Sequence, residues 1–178
     1  MTTAPHSASP RTTPLPMIRL HKHVRATRQR VYEALTTPEQ FPHWFAPGPN
    51  EKCGEVIVEP WVGGRFRFEM TDAKGEQHVG VGTFTEVVEH EKLSYSWTWE
   101  NNPDFGGNSQ VTFELFNAEN HIEPGQPATE IVLTHEKLPT AAERSEHTGG
   151  WWNCLRALGY HVRGVDPREA MYGAVASS

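Results

Sequence analysis

Apolar and polar residues alternate in the first patterned segment of the chain, residues 17–26. Ile18 and Leu20 face one way, and the basic residues between and after them face the other. This period of two is typical of a β-strand, because successive side chains of a strand point to opposite faces of a sheet. We therefore predict a first strand here and, in the Thr-, Ser- and Pro-rich residues 1–16, a disordered tail.

The next segment has the spacing of a helix. Val31, Ala34 and Leu35 recur at helical intervals, and Thr27 stands before them with a side-chain oxygen that can cap the first turn. Proline is well tolerated at the first position of a helix, so residues 38–45, which begin with proline, are predicted to form a second short helix.

From there the chain consists of short patterned runs separated by Gly, Pro, Asn and Asp, which indicates an antiparallel meander rather than β-α-β units. In these runs Phe, Tyr, Trp, Leu and Ile alternate with charged and hydroxyl side chains, so one face of the sheet is apolar and the other is solvated. The six further strands are predicted at residues 54–59, 64–71, 78–90, 92–100, 110–117 and 129–136.

After Pro139 the pattern becomes helical for about two dozen residues. The apolar stripe of this helix must cover the sheet, and it consists of His147, Trp151, Leu155, Leu158 and Val162. Residues 164–178 show little periodicity and are predicted to be a peripheral tail. The order of elements predicts an α+β fold in one domain over residues 17–163.

Composition narrows the function classes. A formal net charge of −6 is the wrong sign for a protein that neutralises phosphates, so nucleic acid is not expected as a partner. The apolar stretches are far shorter than the ~18 residues of a bilayer-spanning helix, and no secretory signal is evident. We expect no membrane insertion and a cytoplasmic location. The two cysteines form no C-x-x-C pair, and they are interpreted as small core residues.

Several fragments resemble one family in the correct order. They are residues 25–36 (RATRQRVYEALT), Trp44 to Pro47, Gly63-Gly64-Arg65-Phe66, Gly82-Thr83-Phe84, residues 93–97 (LSYSW), residues 134–139 (THEKLP) and His147-Thr148-Gly149-Gly150-Trp151. Together they are similar to the activator of heat-shock-protein-ninety ATPase homologue-like family of the START-like (SRPBCC) superfamily. Lys137 departs from the pattern, because a small residue is usual at its position.

This resemblance implies a helix-grip fold, in which a curved antiparallel sheet of about seven strands wraps around a long C-terminal helix, with two short helices after the first strand. The superfamily includes lipid carriers, hormone receptors and cyclases, so the fold alone does not give the function. The chaperone activators carry an additional N-terminal domain for which this sequence has no room. A chaperone partner is therefore not expected.

A bent sheet and a straight helix cannot touch along their whole length, so a space is expected between them. Its facing surfaces are unusually aromatic, and these rings either fill the space or line a slot for a flat apolar molecule. The residues predicted to bind a ligand there are Trp44, Phe45, Phe66, Phe68, Tyr95, Trp97, Trp99, Phe113, His135, His147, Trp151 and Leu155.

Polar groups on the apolar side are the candidates for chemistry, because burying one without a partner costs about 1–3 kcal/mol. His135 and His147 are the candidate acid-base groups, together with Tyr95, and Arg67 and Glu69 are expected near them. The alternative is that each histidine is held by a neighbouring carbonyl or caps a helix.

Motifs for cofactors and metals are weak. His21-x-His23 places two imidazoles on one strand face, but no carboxylate partner is evident in the sequence, and we predict no metal. Phosphate-binding glycine loops and serine-hydrolase elbows are missing, and no cofactor is predicted.

Three functions remain open. The first is a module that binds a hydrophobic or aromatic small molecule without chemistry of its own. The second is a small enzyme of the cyclase, dehydratase or hydrolase type that uses a cavity histidine. The third is a co-chaperone-like or protein-interaction adaptor that uses an exposed aromatic loop at Trp44, Phe45 and Pro47, with a homodimer as its mildest form.

Overall fold

The computed structural model describes residues 17–102, 105 and 109–173. It contains one antiparallel seven-stranded sheet in the order β1-β7-β6-β5-β4-β3-β2, curled into a half-barrel around a long helix. The elements in chain order are β1 (Ile18–Val24), α1 (Arg28–Thr36), a 3₁₀ turn (Phe41–His43), β2 (Lys52–Val58), β3 (Arg65–Thr71), β4 (Gln77–Val88), β5 (Lys92–Trp99), β6 (Ser109–Ala118), β7 (Ala128–Glu136), α2 (Ala141–His161) and α3 (Pro167–Tyr172).

The predicted helix-grip architecture is confirmed, and the strand bounds agree closely with the alternation of apolar residues. Thr27 caps α1 as expected, since its hydroxyl accepts a hydrogen bond from Arg30 N at 3.1 Å. Two register shifts, between Cys53 and Val56 and between Phe84 and Glu86, interrupt the ladders. Such bulges increase local twist and bend the sheet.

Helix α2 crosses the concave face of this sheet. The Thr140 hydroxyl caps its first turn by accepting a hydrogen bond from Glu143 N at 3.1 Å. The predicted apolar stripe does face the sheet, because Trp151, Leu155 and Leu158 are at most 3% exposed. Helix α2 therefore forms one wall of the space on the concave side of the sheet.

The aromatic side chains form most of the core. Phe66 packs on Tyr95 with ring centroids 4.3 Å apart, and Phe68 packs on Phe45 at 4.5 Å. Gly80 makes room for the fully buried Phe68, since a Cβ at position 80 would lie 2.2 Å from that ring. Close ring contacts of this kind fill the deep part of the curved sheet.

The predicted helix at residues 38–45 is wrong in extent. Only the 3₁₀ turn Phe41–His43 forms, with Trp44 N bonded to Phe41 O at 3.2 Å. Pro42 lies inside this segment and has no N–H to donate, so a regular α-helical ladder cannot continue through it.

The aromatic loop after this turn is not exposed, which contradicts the surface on which the adaptor hypothesis depends. Trp44 is 1% exposed and Phe45 is 5% exposed, and Pro47 is also buried. The indole N–H of Trp44 donates to the carbonyl of Ala34 at 2.9 Å. These residues anchor the loop to α1 and the core.

The segment predicted as a C-terminal tail contains helix α3. Asp166 caps it by accepting from Arg168 N and Glu169 N, and Pro167 occupies the first turn. A capping Asp followed by Pro is a sequence signal for a helix start, and it is visible at residues 166–167. Residues 1–16 and 174–178 of the predicted tails lie outside the described residues.

Lys137 has a φ of 58°, in the left-handed region that glycine adopts most easily. This backbone conformation explains why a small residue is usual where this sequence has lysine. Within the described part of the chain, no helix combines the length and the hydropathy that crossing a bilayer requires.

Candidate functional site

A pocket of about 380 Å³ lies between the N-terminal half of α2, strands β3 to β5 and the loop that follows the 3₁₀ turn. Its size is within the range of small-molecule sites, about 300–1,000 Å³. The lining residues are Phe45, Ala46, Pro47, Glu51, Met70, Asp72, Gln77, His78, Val79, Trp97, Trp99, Asn101, Asn102, Glu143, Glu146, His147, Gly150, Trp151, Asn153 and Cys154.

The inner wall and the mouth of the pocket differ in character. Phe45, Trp97 and Trp151 are buried and form the inner wall, whereas Gln77 and Glu146 at the mouth are exposed. The expected hollow between sheet and helix is thus divided: rings fill its deep part, and a pocket that reaches the surface remains at one end.

The twelve residues predicted to bind a ligand divide in the same way. Five of them line the pocket: Phe45, Trp97, Trp99, His147 and Trp151. The other seven belong to the core beside it: Trp44, Phe66, Phe68, Tyr95, Phe113, His135 and Leu155.

His135 on β7 is fully buried and uses both ring nitrogens. Its Nδ1 accepts from the indole N–H of Trp151 at 3.1 Å, so the ring proton is on Nε2, which donates to Ser109 Oγ at 3.1 Å. Ser109 Oγ–H in turn donates to the carbonyl of Trp97. Burial lowers the pKa of His135 to about 3, and His147 adds to this shift. The ring is neutral, and both nitrogens are already bonded within the protein.

Tyr95 also lies in the core, against Phe66 and Phe84. Burial raises the pKa of its phenol well above the ordinary value of 10, so the hydroxyl keeps its proton. Arg67 and Glu69, which were expected near the histidines, are on the outer face of the sheet instead, where the Arg67 guanidinium donates to Glu69 Oε1 at 2.8 Å. They do not line the pocket.

His147 on α2 is the candidate acid-base group that does line the pocket. Its Nδ1 lies 2.8 Å from the carbonyl oxygen of Glu143, which can only accept, so Nδ1 carries the proton of the neutral ring. The Glu143 carboxylate lies 3.5 Å from the same nitrogen. His147 Nε2 is buried without a hydrogen-bond partner among the described residues. In the neutral ring this nitrogen is an acceptor.

A second nitrogen of the pocket wall has no partner either. The indole of Trp97 is 2% exposed, and its Nε1 is buried without an acceptor in the part of the chain that the structure describes. Its ring lies 6.4 Å from that of His147, centroid to centroid. Two neighbouring rings of the pocket lining therefore carry one donor and one acceptor without partners among the described residues, and buried polar groups of this kind usually have a partner.

Sequence reasoning missed the acidic rim of the pocket. Glu143 is four residues before His147 along α2, so helical spacing places it in line with the predicted stripe, and Glu146 is four residues before Gly150, which also lines the pocket. That spacing was the available signal. Glu51 and Asp72 come from loops whose approach to α2 only the tertiary structure shows.

Arg168 of α3 holds the loop that forms one wall. Its guanidinium donates to the carbonyl oxygens of Gly48 at 2.6 Å, Glu51 at 2.8 Å and Ala46 at 3.1 Å. Ala46 has a φ of 48°, which is unfavourable for a residue with a side chain. We infer that Arg168 stabilises this strained loop, and with it the wall formed by Phe45 and Pro47.

The cysteines are free thiols, and burial raises the pKa of Cys53 and of Cys154 to about 12. Neither is a thiolate near neutral pH, although Cys154 lines the pocket.

The histidine pair of β1 has a carboxylate partner that the sequence did not reveal. His21 Nδ1 lies 2.8 Å and His23 Nε2 lies 3.9 Å from one oxygen of Glu130, on the solvated face. This places three potential ligand side chains on one exposed surface, but the contacts are those of ordinary surface pairs.

Asp72, Glu76 and His78 bring three potential metal-ligand atoms within 4.8 Å of one another at the turn between β3 and β4. Asp72 already accepts hydrogen bonds from Lys74 N and Glu76 N and lies 3.0 Å from His78 Nε2. These contacts are those of a hairpin turn, and we assign no metal to them.

The curled sheet gripping a C-terminal helix, with a pocket between them, defines a helix-grip protein of the START-like class. The chain belongs to the family described as Activator of Hsp90 ATPase homolog 1-like protein, which matches residues 25–162. Among curated proteins, none matches the sequence.

Solved structures share the fold at low sequence identity. A Chromobacterium violaceum protein is 24% identical, with a TM-score of 0.70 over 82% of this chain and 96% of its own. An AHSA1-like protein from Aeromonas hydrophila is 21% identical, with a TM-score of 0.65 over 84% and 93%. A protein of the dynemicin biosynthetic locus is 19% identical, with a TM-score of 0.61 over 85% of this chain and 49% of its own.

The buried state of His135 predicts a dependence of stability on pH. Its pKa is about 3 in the folded protein and near 6.5 when unfolded, so between these values the unfolded chain binds a proton that the folded one does not. The contribution of the neutral ring is full above about pH 6.5 and is lost as pH falls towards 3. His135→Gln should be less stable by about 2 kcal/mol at pH 7, and the difference should shrink by pH 4.

Urea unfolding followed by circular dichroism at pH 7, 6, 5 and 4 measures this difference. The exposed His121 provides a matched control, and His121→Gln should follow the wild type at every pH. Parallel curves for wild type and His135→Gln would contradict the assignment.

The Arg168 contacts predict a loss of stability on substitution. Arg168→Met keeps the apolar stem but removes the donors to three carbonyl groups, and we expect the free energy of unfolding to fall by about 2 kcal/mol. The control is Arg163→Met, at an exposed arginine that forms no ion pair among the described residues. Equal stability of the two variants in urea unfolding would show that the hydrogen bonds from Arg168 to the loop do not stabilise the protein.

Proposed function

We propose that the protein binds a small molecule with an apolar or aromatic body in the pocket between α2 and the sheet. The observation that carries this proposal is the combination, in one pocket, of a tryptophan-rich wall with two buried nitrogens that lack partners among the described residues, Trp97 Nε1 and His147 Nε2. Burying a polar nitrogen without a partner costs free energy, and a groove formed only by imperfect packing would offer nothing in return for that cost.

The chemistry of the wall describes the ligand in outline. Trp97, Trp99 and Trp151 present flat apolar surfaces, which favour a ring or a planar hydrocarbon. The unpaired N–H of Trp97 calls for an acceptor, and the free Nε2 of neutral His147 calls for a donor. A ligand that carries a hydroxyl, or a carbonyl and an N–H, at its inner end supplies both.

Two neighbouring glycines of α2 allow a sharp test of the pocket. A Cβ at Gly149 or at Gly150 meets no atom within 4 Å, but only Gly150 lines the pocket. Gly150→Phe should therefore fill the mouth without a clash. We expect it to weaken binding of the neutral fluorescent probe N-phenyl-1-naphthylamine about tenfold or more, which corresponds to about 1.4 kcal/mol.

Gly149→Phe is the matched control, because it makes the same helical substitution one residue away. Its dissociation constant for the probe should equal that of the wild type, and both variants should keep the wild-type circular dichroism spectrum. Absence of saturable probe binding by the wild type, or equal weakening in both variants, would reject the pocket as the binding site.

An enzyme that moves protons is the second candidate, and one observation favours it. His147 lines the pocket and is oriented as a base should be: Nδ1 donates to a backbone carbonyl beside the Glu143 carboxylate, and Nε2 has no partner among the described residues. An imidazole oriented by one nitrogen and unbonded at the other is the arrangement of a general base.

This second candidate predicts base catalysis on a neutral aromatic probe. 5-Nitrobenzisoxazole opens to a nitrile and a phenolate when a base removes its ring proton, and phenolate absorbance follows the reaction. His147→Gln should lower the protein-dependent rate by about tenfold or more. The exposed His43 lies outside the pocket, so His43→Gln should retain it. Equal rates for all three proteins would leave His147 without a role as base.

A further inference from the structure

Among the described residues, four carboxylate side chains and no lysine or arginine line the pocket. Glu143 and Glu146 come from α2, Glu51 comes from the loop before β2, and Asp72 comes from the end of β3. They therefore approach the mouth from three separate parts of the fold. Negative charge around an opening with apolar walls favours ligands of the opposite sign.

These carboxylates are not neutralised by cationic side chains. Among the described residues, none of the four forms an ion pair with a lysine or arginine. Two of them lie near a histidine instead: Asp72 is 3.0 Å from His78 Nε2, and Glu143 is 3.5 Å from His147 Nδ1. Glu51 accepts a hydrogen bond from the backbone N–H of Gly48 at 2.8 Å. The hydrogen bond from His78 lowers the pKa of Asp72, so this group is ionised at neutral pH.

The aromatic walls act in the same electrostatic sense. Trp97 lies 5.3 Å from Trp151 and 5.4 Å from Trp99, centroid to centroid, and the Trp97 and Trp99 planes are 82° apart. The face of an indole carries the negative end of its quadrupole and attracts cations within about 6 Å. Three indoles in one pocket lining therefore favour a cationic ligand over an anionic one.

We propose that the pocket selects an organic cation: a protonated amine on an aromatic body, with the ring against the tryptophans and the ammonium group at the carboxylate rim. This rests on the proposed function of small-molecule binding and names its substrate class. The acidic rim alone would not indicate a site. The independent observation is that Trp97 and His147 line the same pocket and that each has a buried nitrogen, Trp97 Nε1 and His147 Nε2, without a partner in the part of the chain that the structure describes.

The test uses three competitors that share a naphthalene ring and a two-carbon chain and differ in charge at pH 7. They are 2-(1-naphthyl)ethylamine, 2-(1-naphthyl)ethanol and 1-naphthylacetate. Each is titrated against N-phenyl-1-naphthylamine bound to the wild-type protein, and the fluorescence gives the affinity of the competitor. We expect the amine to bind about tenfold more tightly than the alcohol and the carboxylate to bind most weakly, as a Coulomb interaction with nearby carboxylates requires. Added salt screens the charges and should reduce the differences in affinity among the three competitors.

A charge-reversal variant locates the effect. Glu146 is exposed at the mouth, so Glu146→Lys should leave the fold intact and weaken the amine by about tenfold while strengthening the carboxylate. Glu39→Lys makes the same change in net charge at an exposed residue outside the pocket lining, and it should change neither. The neutral alcohol is the control for damage to the pocket. Its affinity should be the same for the wild type, Glu146→Lys and Glu39→Lys.

The outcomes separate the two proposals. Failure of the neutral probe to bind any of the proteins removes the proposed function and the charge preference with it. Probe binding with equal displacement by all three competitors keeps the binding function and overturns the cation preference. Equal effects of Glu146→Lys and Glu39→Lys also overturn it, because they assign the preference to the net charge of the protein rather than to the rim.

Discussion

The hydrogen-bonded chain from Trp151 through His135 and Ser109 to the Trp97 carbonyl connects α2 to three strands of the sheet. It is buried throughout, and its donors and acceptors are matched only if His135 is neutral with its proton on Nε2. The two tryptophans at its ends are also walls of the pocket. One buried interaction therefore joins the helix to the sheet directly beside the pocket.

The division of α2 into two halves explains why the pocket lies where it does. Towards its C-terminus the helix presents Leu155, Ala157 and Leu158, which are fully buried against the sheet. Towards its N-terminus it presents acidic residues and the glycine pair at 149 and 150, whose missing side chains leave open space. Of the two glycines only Gly150 lines the pocket, and its missing side chain leaves the mouth open, whereas Leu155, Ala157 and Leu158 pack closely at the other end.

Alternation and helical spacing were sufficient to predict the strands, the two faces of the sheet and the long helix. The period of a pattern and the turn residues that interrupt it can be read from neighbouring residues in the sequence. How deep a side chain lies within a curved sheet depends on distant residues that pack against it, and a local sequence pattern does not show this. Phe68 and Trp97 both face inwards, but Phe68 lies under Gly80 in the filled region and Trp97 reaches the pocket. The acidic residues of loops, such as Glu51 and Asp72, gave no periodic signal. Their role depends on long-range approach to α2.

The two cavity histidines illustrate the same limit. His135 and His147 have ring centroids 5.4 Å apart, and sequence pattern predicted the same role for both. The two histidines differ in the hydrogen-bond partners of their ring nitrogens. For His135 both partners are side chains of distant elements, whereas for His147 one partner is the carbonyl of Glu143, one turn earlier in its own helix. A helix can supply only one such acceptor on that side of the ring. Nε2 of His147 has no partner among the described residues, so the difference between the two histidines follows from the elements that surround each ring rather than from residue type.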